Sequence, residues 1–221
     1  NGGCPLRDLN KHLGFKFPLG GPKTINGLIV NHFQDIPDPG TSLKIGEIPI
    51  EILQAQDKVV KAISSLRNKG YKISLQLVGG GHGKVQLSLN KLIKKIDPDK
   101  KYISQTGFVS HERIPQHLSS ADLFIFASSC ENMPNILLEM MASGLPIVSS
   151  DRGPMPDILL DGGLYFDPED PENIASAIRK TITSEKLRED LAHRNYLNAQ
   201  KFSWQKCSYR TFSFIDNIII S

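Results

Sequence analysis

The sequence predicts an α/β fold: a parallel sheet covered by helices on both faces, with a helical C-terminus. Two observations carry this expectation. From about residue 51, short apolar runs alternate with segments of helical period, the pattern of strand–helix–strand units whose crossover helices cover a sheet from both sides. A glycine run, Gly79 to Gly83, stands where one such strand gives way to a helix. In open sheets of this kind, ligands bind beyond the carboxyl ends of the strands.

The elements follow in order. Residues 1–50 are rich in Gly and Pro (GGPKT, IPDPGTS) and carry one strand-like run, Gly27 to Phe33, so they read as an irregular or edge segment, separate from a domain over 51–221. From Leu53 the residues Val59, Val60, Ile63 and Leu66 share a helical face, and Gly70 stops the helix. Ile73 to Val78 reads as a strand, Leu87 to Ile96 as a helix, and Tyr102 to Gln105 as a strand. Next come a helix at Arg113 to Ser119, a strand at Asp122 to Ala127, a helix at Met133 to Ser143 and a strand at Pro146 to Ser149. After Gly162-Gly163, a short strand Leu164 to Phe166 leads to three helices, Glu172 to Thr183, Glu185 to Gln200 and Ser203 to Ile219. Each of the loops Gly79 to Gly83, Phe108-Val109, Glu131 to Asn135 and Arg152 to Pro156 leaves a strand or enters a helix.

Composition narrows the class. In 221 residues with 39% hydrophobic content, one good core can be buried. The net charge of +3 is not gathered into a basic run, which gives no argument for a nucleic-acid partner. Cys4, Cys130 and Cys207 are odd in number and lack a CxxC pair, so neither a disulfide framework nor a zinc site is expected. No apolar run approaches the roughly 20 residues of a spanning helix, and the N-terminus has no signal-peptide core. The expected setting is the cytoplasm, with peripheral contact at the inner face of the membrane left open.

Two features invite chemistry. The glycine run matches neither phosphate signature: a P-loop would need glycine at Val78 and Ser or Thr at Val85, and GxGxxG would need glycine at Lys84 or Gln86. A glycine-rich turn remains, whose backbone could approach a pyrophosphate with Lys84 supplying charge, or which is simply tight. His82 reads as a solvated loop residue before a ligand-facing one. The second feature is CENMPNILLEMMASGLP, where Glu131 lies in the loop after an apolar strand and Glu139 lies on the following helix, eight positions on. On one unbroken helix they would stand about 80° apart. Glu139 sits among apolar neighbours, so it is expected to be partly buried and to need a partner such as a ribose hydroxyl. The helix start offers free N–H groups and a positive dipole to an anion. The segment Arg152 to Asp157 reads equally as a rigid turn or as a guanidinium clamp.

These residues resemble a known family. LQLVGGG, TGFVSHERIPQHLSSADLFIFAS, the E-x7-E pair, the G-L-P before a strand, DGGLYFDPED and SWQKCSYRTFSFI together resemble the C-terminal, donor-binding half of family-4 retaining glycosyltransferases, over about Leu53 to Ile215. The resemblance implies a Rossmann-like sheet, one half of a GT-B fold, that binds a nucleoside diphosphate sugar without a metal or other cofactor. It implies that Glu131, the catalytic residue of the pair, lies beside the donor sugar and orients it, with neither glutamate acting as a general acid–base partner. Backbone N–H groups around Asn132, Met133, Pro134 and Asn135 would hold sugar hydroxyls and phosphate, and Glu139 the ribose. Phe108 and Val109 would touch the base through backbone atoms, and Gly80 and Gly81 would face the pyrophosphate.

Two departures from the family pattern stand out. Gln54 occupies the position of the usual diphosphate-clamping Lys, and no Arg precedes it between Thr41 and Leu53. Lys58 or Lys84 is the candidate substitute, because a neutral amide cannot replace an ammonium at a leaving group. The acceptor-binding half has no room in 221 residues, so the chain is expected to be incomplete as an enzyme. The expected activity is retaining transfer of a hexose to a saccharide or lipid-linked acceptor, in surface polysaccharide or glycoconjugate synthesis. The rival expectation is a non-catalytic nucleotide-sugar-binding module or half-enzyme that needs a separate acceptor domain. A sugar-nucleotide epimerase is the third, against which the E-x7-E spacing argues.

Overall fold

The computed structural model describes residues 5–33, 42–45, 48–51, 56–80, 83–129, 131 and 133–220. Gln54, Gly81, His82, Cys130 and Asn132, as well as the side chain of Lys84, lie outside these residues.

The N-terminal segment departs from its sequence reading. It holds two helices, α1 (Leu6–Leu13) and α2 (Ile25–Phe33), followed by an antiparallel hairpin of β1 (Ser42–Ile45) and β2 (Ile48–Glu51). The run from Gly27 to Phe33 is therefore helical, not a strand. Its consecutive Leu-Ile-Val hides a helical face in which Leu28 and Ile29 are buried and Ile25 packs one turn earlier. Thr24 starts the helix, with its Oγ1 accepting from the Gly27 N–H at 3.2 Å. Gly14, at φ 69°, ends α1 in the left-handed conformation. Leu6, Phe17 and Leu28 form a small cluster of their own.

The alternating elements appear as expected, with bounds shifted by a few residues. They are α3 (Gln56–Asn68), β3 (Leu75–Leu77), α4 (Gly83–Ile96), β4 (Ile103–Gln105), α5 (Ile114–Ser119), β5 (Phe124–Phe126), α6 (Asn135–Ala142) and β6 (Ile147–Ser150). After them come α7 (Met155–Leu159), β7 (Gly163–Phe166), α8 (Pro171–Ile182), α9 (Glu185–Ala199) and α10 (Trp204–Ile220). The short helix α7 lies where the sequence suggests only a turn or binding loop, between Pro154 and Leu160, with Met155, Ile158 and Leu159 buried.

All core strand pairs are parallel: β3 with β4, and β6 between β5 and β7. Side-chain alternation along these strands feeds two cores. Val148 and Phe166 join α3, α4 and α8 in one core; Ile147 joins α6 and α7 in the other, with Phe124 and Phe126 packed against it. The expected helices thus flank the parallel strands, which pair as two sheets, β3–β4 and β5–β6–β7. At the C-terminal end, α10 exposes Trp204, Tyr209, Phe212, Phe214 and Ile218. Among the described residues no helix is long and apolar enough to cross a membrane.

Candidate functional site

The site begins where β3 and β4 end side by side. The Thr106 N–H donates to Leu77 O at 3.0 Å, and the Gly79 N–H donates to Thr106 Oγ1 at 3.2 Å. Beyond the ladder, Gly79 and Gly107 form an isolated bridge, both at positive φ, 111° and 68°. Gly79 adopts a backbone conformation that other residues rarely take. Gly80 is needed for space instead: a Cβ there would stand 3.3 Å from the Phe108 N. Two of the residues expected to flank a diphosphate and a base, Gly80 and Phe108, are therefore in backbone contact. Phe108 is 90% exposed, and it lines an open cleft of about 550 Å³ with Thr106, Val109, Ser110, Glu112, Arg113 and His117. The ring of His117 ties this wall to β3 through Gln76 Oε1 at 3.0 Å.

The two acids come from different local structures, as expected. Glu131 is partly buried in the loop after β5; the backbone of Gly153, after β6, lies against its own, with a Cβ at Gly153 falling 3.6 Å from Glu131 O. Among the described residues its carboxylate has no hydrogen-bond or ion-pair partner. Pro134 is the N-cap of α6 rather than part of its first turn, and it supplies no side-chain capping bond. The N–H groups of Asn135 and Ile136 are the orphan donors that an anion or sugar hydroxyl can use, those of Leu137 and Leu138 being taken by Pro134 O. Met133 is exposed, Pro134 buried. Glu139 lies one turn into α6 with its side chain 41% exposed, and Oε1 stands 3.1 Å from His111 Nε2. It is partly buried, and its partner within the chain is a histidine.

The cationic candidates divide. Lys58 is engaged at the start of α3, with Asp57 at 3.3 Å and Glu169 at 4.0 Å. Arg152 pairs with Asp167 at 3.0 Å and with Asp151 at 3.2 Å, bracing the end of β6 against the end of β7. A backbone bond from Glu169 first, and then Arg152, hold the Asp167 carboxyl below its ordinary range. Arg152 is thus committed to two carboxylates, which favours the rigid-turn reading of its segment. Among the described residues no group of three His, Cys, Asp or Glu side chains is placed to hold a metal ion.

The family model described as glycosyl transferases group 1 matches residues 37–197, well over half of the chain. The chain belongs to the group 1 glycosyl transferases. A second model, described as a transporter associated domain, matches residues 1–68, less than half; the end of that stretch is α3, whose buried face belongs to the core of the group 1 match. The O-antigen chain mannosyltransferase B of Escherichia coli is 30% identical over 112 residues, 51% of this chain and 29% of the relative. The C-terminal domain of a glycosyl transferase group 1 family protein (LpcC) from Francisella tularensis aligns with TM-score 0.60 at 23% identity, over 69% of this chain and 80% of that one. HepE of Anabaena, crystallised with UDP-glucose, aligns with TM-score 0.64 at 19% identity, over 73% of this chain and 45% of that one. At these identities the structural likenesses establish the fold, the Rossmann-like half of a GT-B glycosyltransferase. The group 1 chain spans half or less of the length of such curated relatives.

Within this group 1 domain, sequence reasoning missed Thr106 and His111. Thr106 latches the two glycine turns together, and its only signal was its place just before Gly107. His111 left none, because its partner lies 28 residues away on another element.

Proposed function

We propose that this chain is the donor-binding half of a retaining glycosyltransferase, which moves a hexose from a nucleoside diphosphate sugar to a saccharide or lipid-linked acceptor in surface polysaccharide or glycoconjugate synthesis. The carrying observation is the meeting of Gly80 with Phe108 at adjacent strand ends, beside a cleft whose wall reaches Glu139 through His111. In this reading the base lies along Phe108 and Val109, and Glu139 takes the ribose hydroxyls. Gly80, Gly81 and Lys84 face the diphosphate, and Glu131 orients the sugar together with the backbone from Asn132 to Asn135. No metal is assigned to the reaction. The departing diphosphate would be stabilised by the N-termini of α4 and α6 and by Lys84, groups fixed in place before charge develops. The relatives, a mannosyltransferase of O-antigen chains and a protein crystallised with UDP-glucose, support the donor class. The acceptor would be held by a second domain, and we place the reaction in the cytoplasm, with peripheral membrane contact where the acceptor is lipid-linked.

A second reading, a nucleotide-sugar-binding module without catalysis of its own, is favoured by the engagement of Lys58 with Asp57 and Glu169, which leaves fewer cations for a leaving group. Donor hydrolysis by the purified chain would exclude it. Calorimetry with UDP and GDP tests the shared core of both readings. The expected result is binding of at least one of them, weakened about tenfold or more in Glu139→Ala, since a buried or bound hydroxyl that loses a charged acceptor costs about 1.5–3 kcal/mol. Unchanged affinity in that variant would refute the ribose assignment.

A further inference from the structure

We propose that His111 is a positioning residue for nucleoside recognition, acting through Glu139; this rests on the donor-site reading above. His111 opens a 3-10 turn (His111–Arg113) between Ser110 and Glu112, both of which line the cleft, and its ring leaves that wall to meet α6. Its Nε2 stands 3.1 Å from Glu139 Oε1. An ionised carboxylate only accepts, so Nε2 carries the hydrogen and donates it. The two side chains are 83% and 41% exposed, and exposed pairs contribute little to stability. The consequence of the contact is therefore orientation. A glutamate on a helix surface has three torsions to settle, and gripping two neighbouring hydroxyls requires both carboxylate oxygens at once. Oε1 keeps a second lone pair after accepting from His111, and Oε2 has no partner among the described residues, so the oriented carboxylate can accept from both hydroxyls of a diol. The same contact couples the base wall to the ribose acid.

The test compares UDP and GDP with their 2′-deoxy counterparts, by calorimetry on the wild-type chain and on His111→Ala and His111→Gln. The wild type should prefer the ribonucleotides. His111→Ala should lose about three- to tenfold of ribonucleotide affinity, with deoxynucleotide affinity and melting temperature unchanged, because only the diol uses the fixed carboxylate. His111→Gln, whose amide N–H can reach the same oxygen, should restore most of the preference. A His111→Ala variant that keeps the full ribose preference overturns the proposal, as does a parallel loss for both nucleotide classes or a Gln variant no better than Ala. A wild type that binds no nucleoside diphosphate overturns the donor-site reading itself. Loss confined to the variants leaves that reading standing.

Discussion

Asp97 shows how one side chain can set a junction. It ends the helical run of α4, is only 2% exposed, and accepts the N–H groups of Lys101, Tyr102 and Ile103 at 2.9, 2.9 and 2.8 Å. Desolvation pushes its carboxyl up, but the three backbone bonds and the nearby Arg67 outweigh that and hold it below the ordinary 3.8. A carboxyl depressed in the folded state stabilises the fold above its unfolded value, and that contribution fades as pH falls through the folded one. Asp97→Asn should therefore lower the denaturant midpoint at neutral pH and lose less stability than the wild type on acidification below about pH 4. Equal acid sensitivity of the two proteins, followed by circular dichroism, would count against this role. At the same scale the acids of the site were legible in sequence because they share one short segment, whereas His111 was not, because its function depends on a neighbour that only folding supplies.

The glycine turn and the helix pairs belong to the scale of elements. Gly79 and Gly80 fail differently when substituted. Gly79 sits at φ 111° with nothing within 4 Å of a Cβ, so alanine there strains the backbone by about 1–3 kcal/mol without a clash. Gly80→Ala pushes instead on the Phe108 N–H, so it should impair nucleotide binding more than it lowers the melting temperature. The reverse ranking, read by calorimetry and thermal melts on both variants, would contradict this division. Helix α8 packs on α3 in the larger core, and Ile178 on it is fully buried. Ile178→Ala should cost about 2–5 kcal/mol in denaturant unfolding. Elements with a clean period were readable for this reason: α3, α4 and α8 each bury one apolar stripe, and the parallel strands are short apolar runs ended by turns. The errors have equally local causes. In α2 a consecutive apolar run erased the helical period, and in α7 Pro154 and Pro156 looked like a turn although proline is tolerated in a first helical turn. The β1–β2 hairpin lay in a stretch whose glycines and prolines suggested loops.

At the scale of the molecule, the parallel sheet of β5, β6 and β7 separates two cores, and the strand exits form the carboxyl-end edge, with Gly80 after β3, Phe108 after β4, Glu131 after β5 and then the start of α6. That edge was legible because alternation of strand and helix forces ligand loops to the carboxyl ends of parallel strands. The N-terminal cluster of Leu6, Phe17 and Leu28 was not, since its contacts join two helices, α1 and α2, and the loop between them. The chain spans half or less of the length of the curated relatives it matches, and the donor claim can be tested on it as it stands. The most direct measurement is a titration of the 15N-labelled chain with UDP-glucose and GDP-mannose, observing every backbone amide. The account predicts saturable shifts for at least one donor at Gly80, at Phe108 and Val109, and from Met133 to Glu139, with α1 and α2 unmoved. No saturable shift with either donor, or shifts confined to the N-terminal helices, would contradict it.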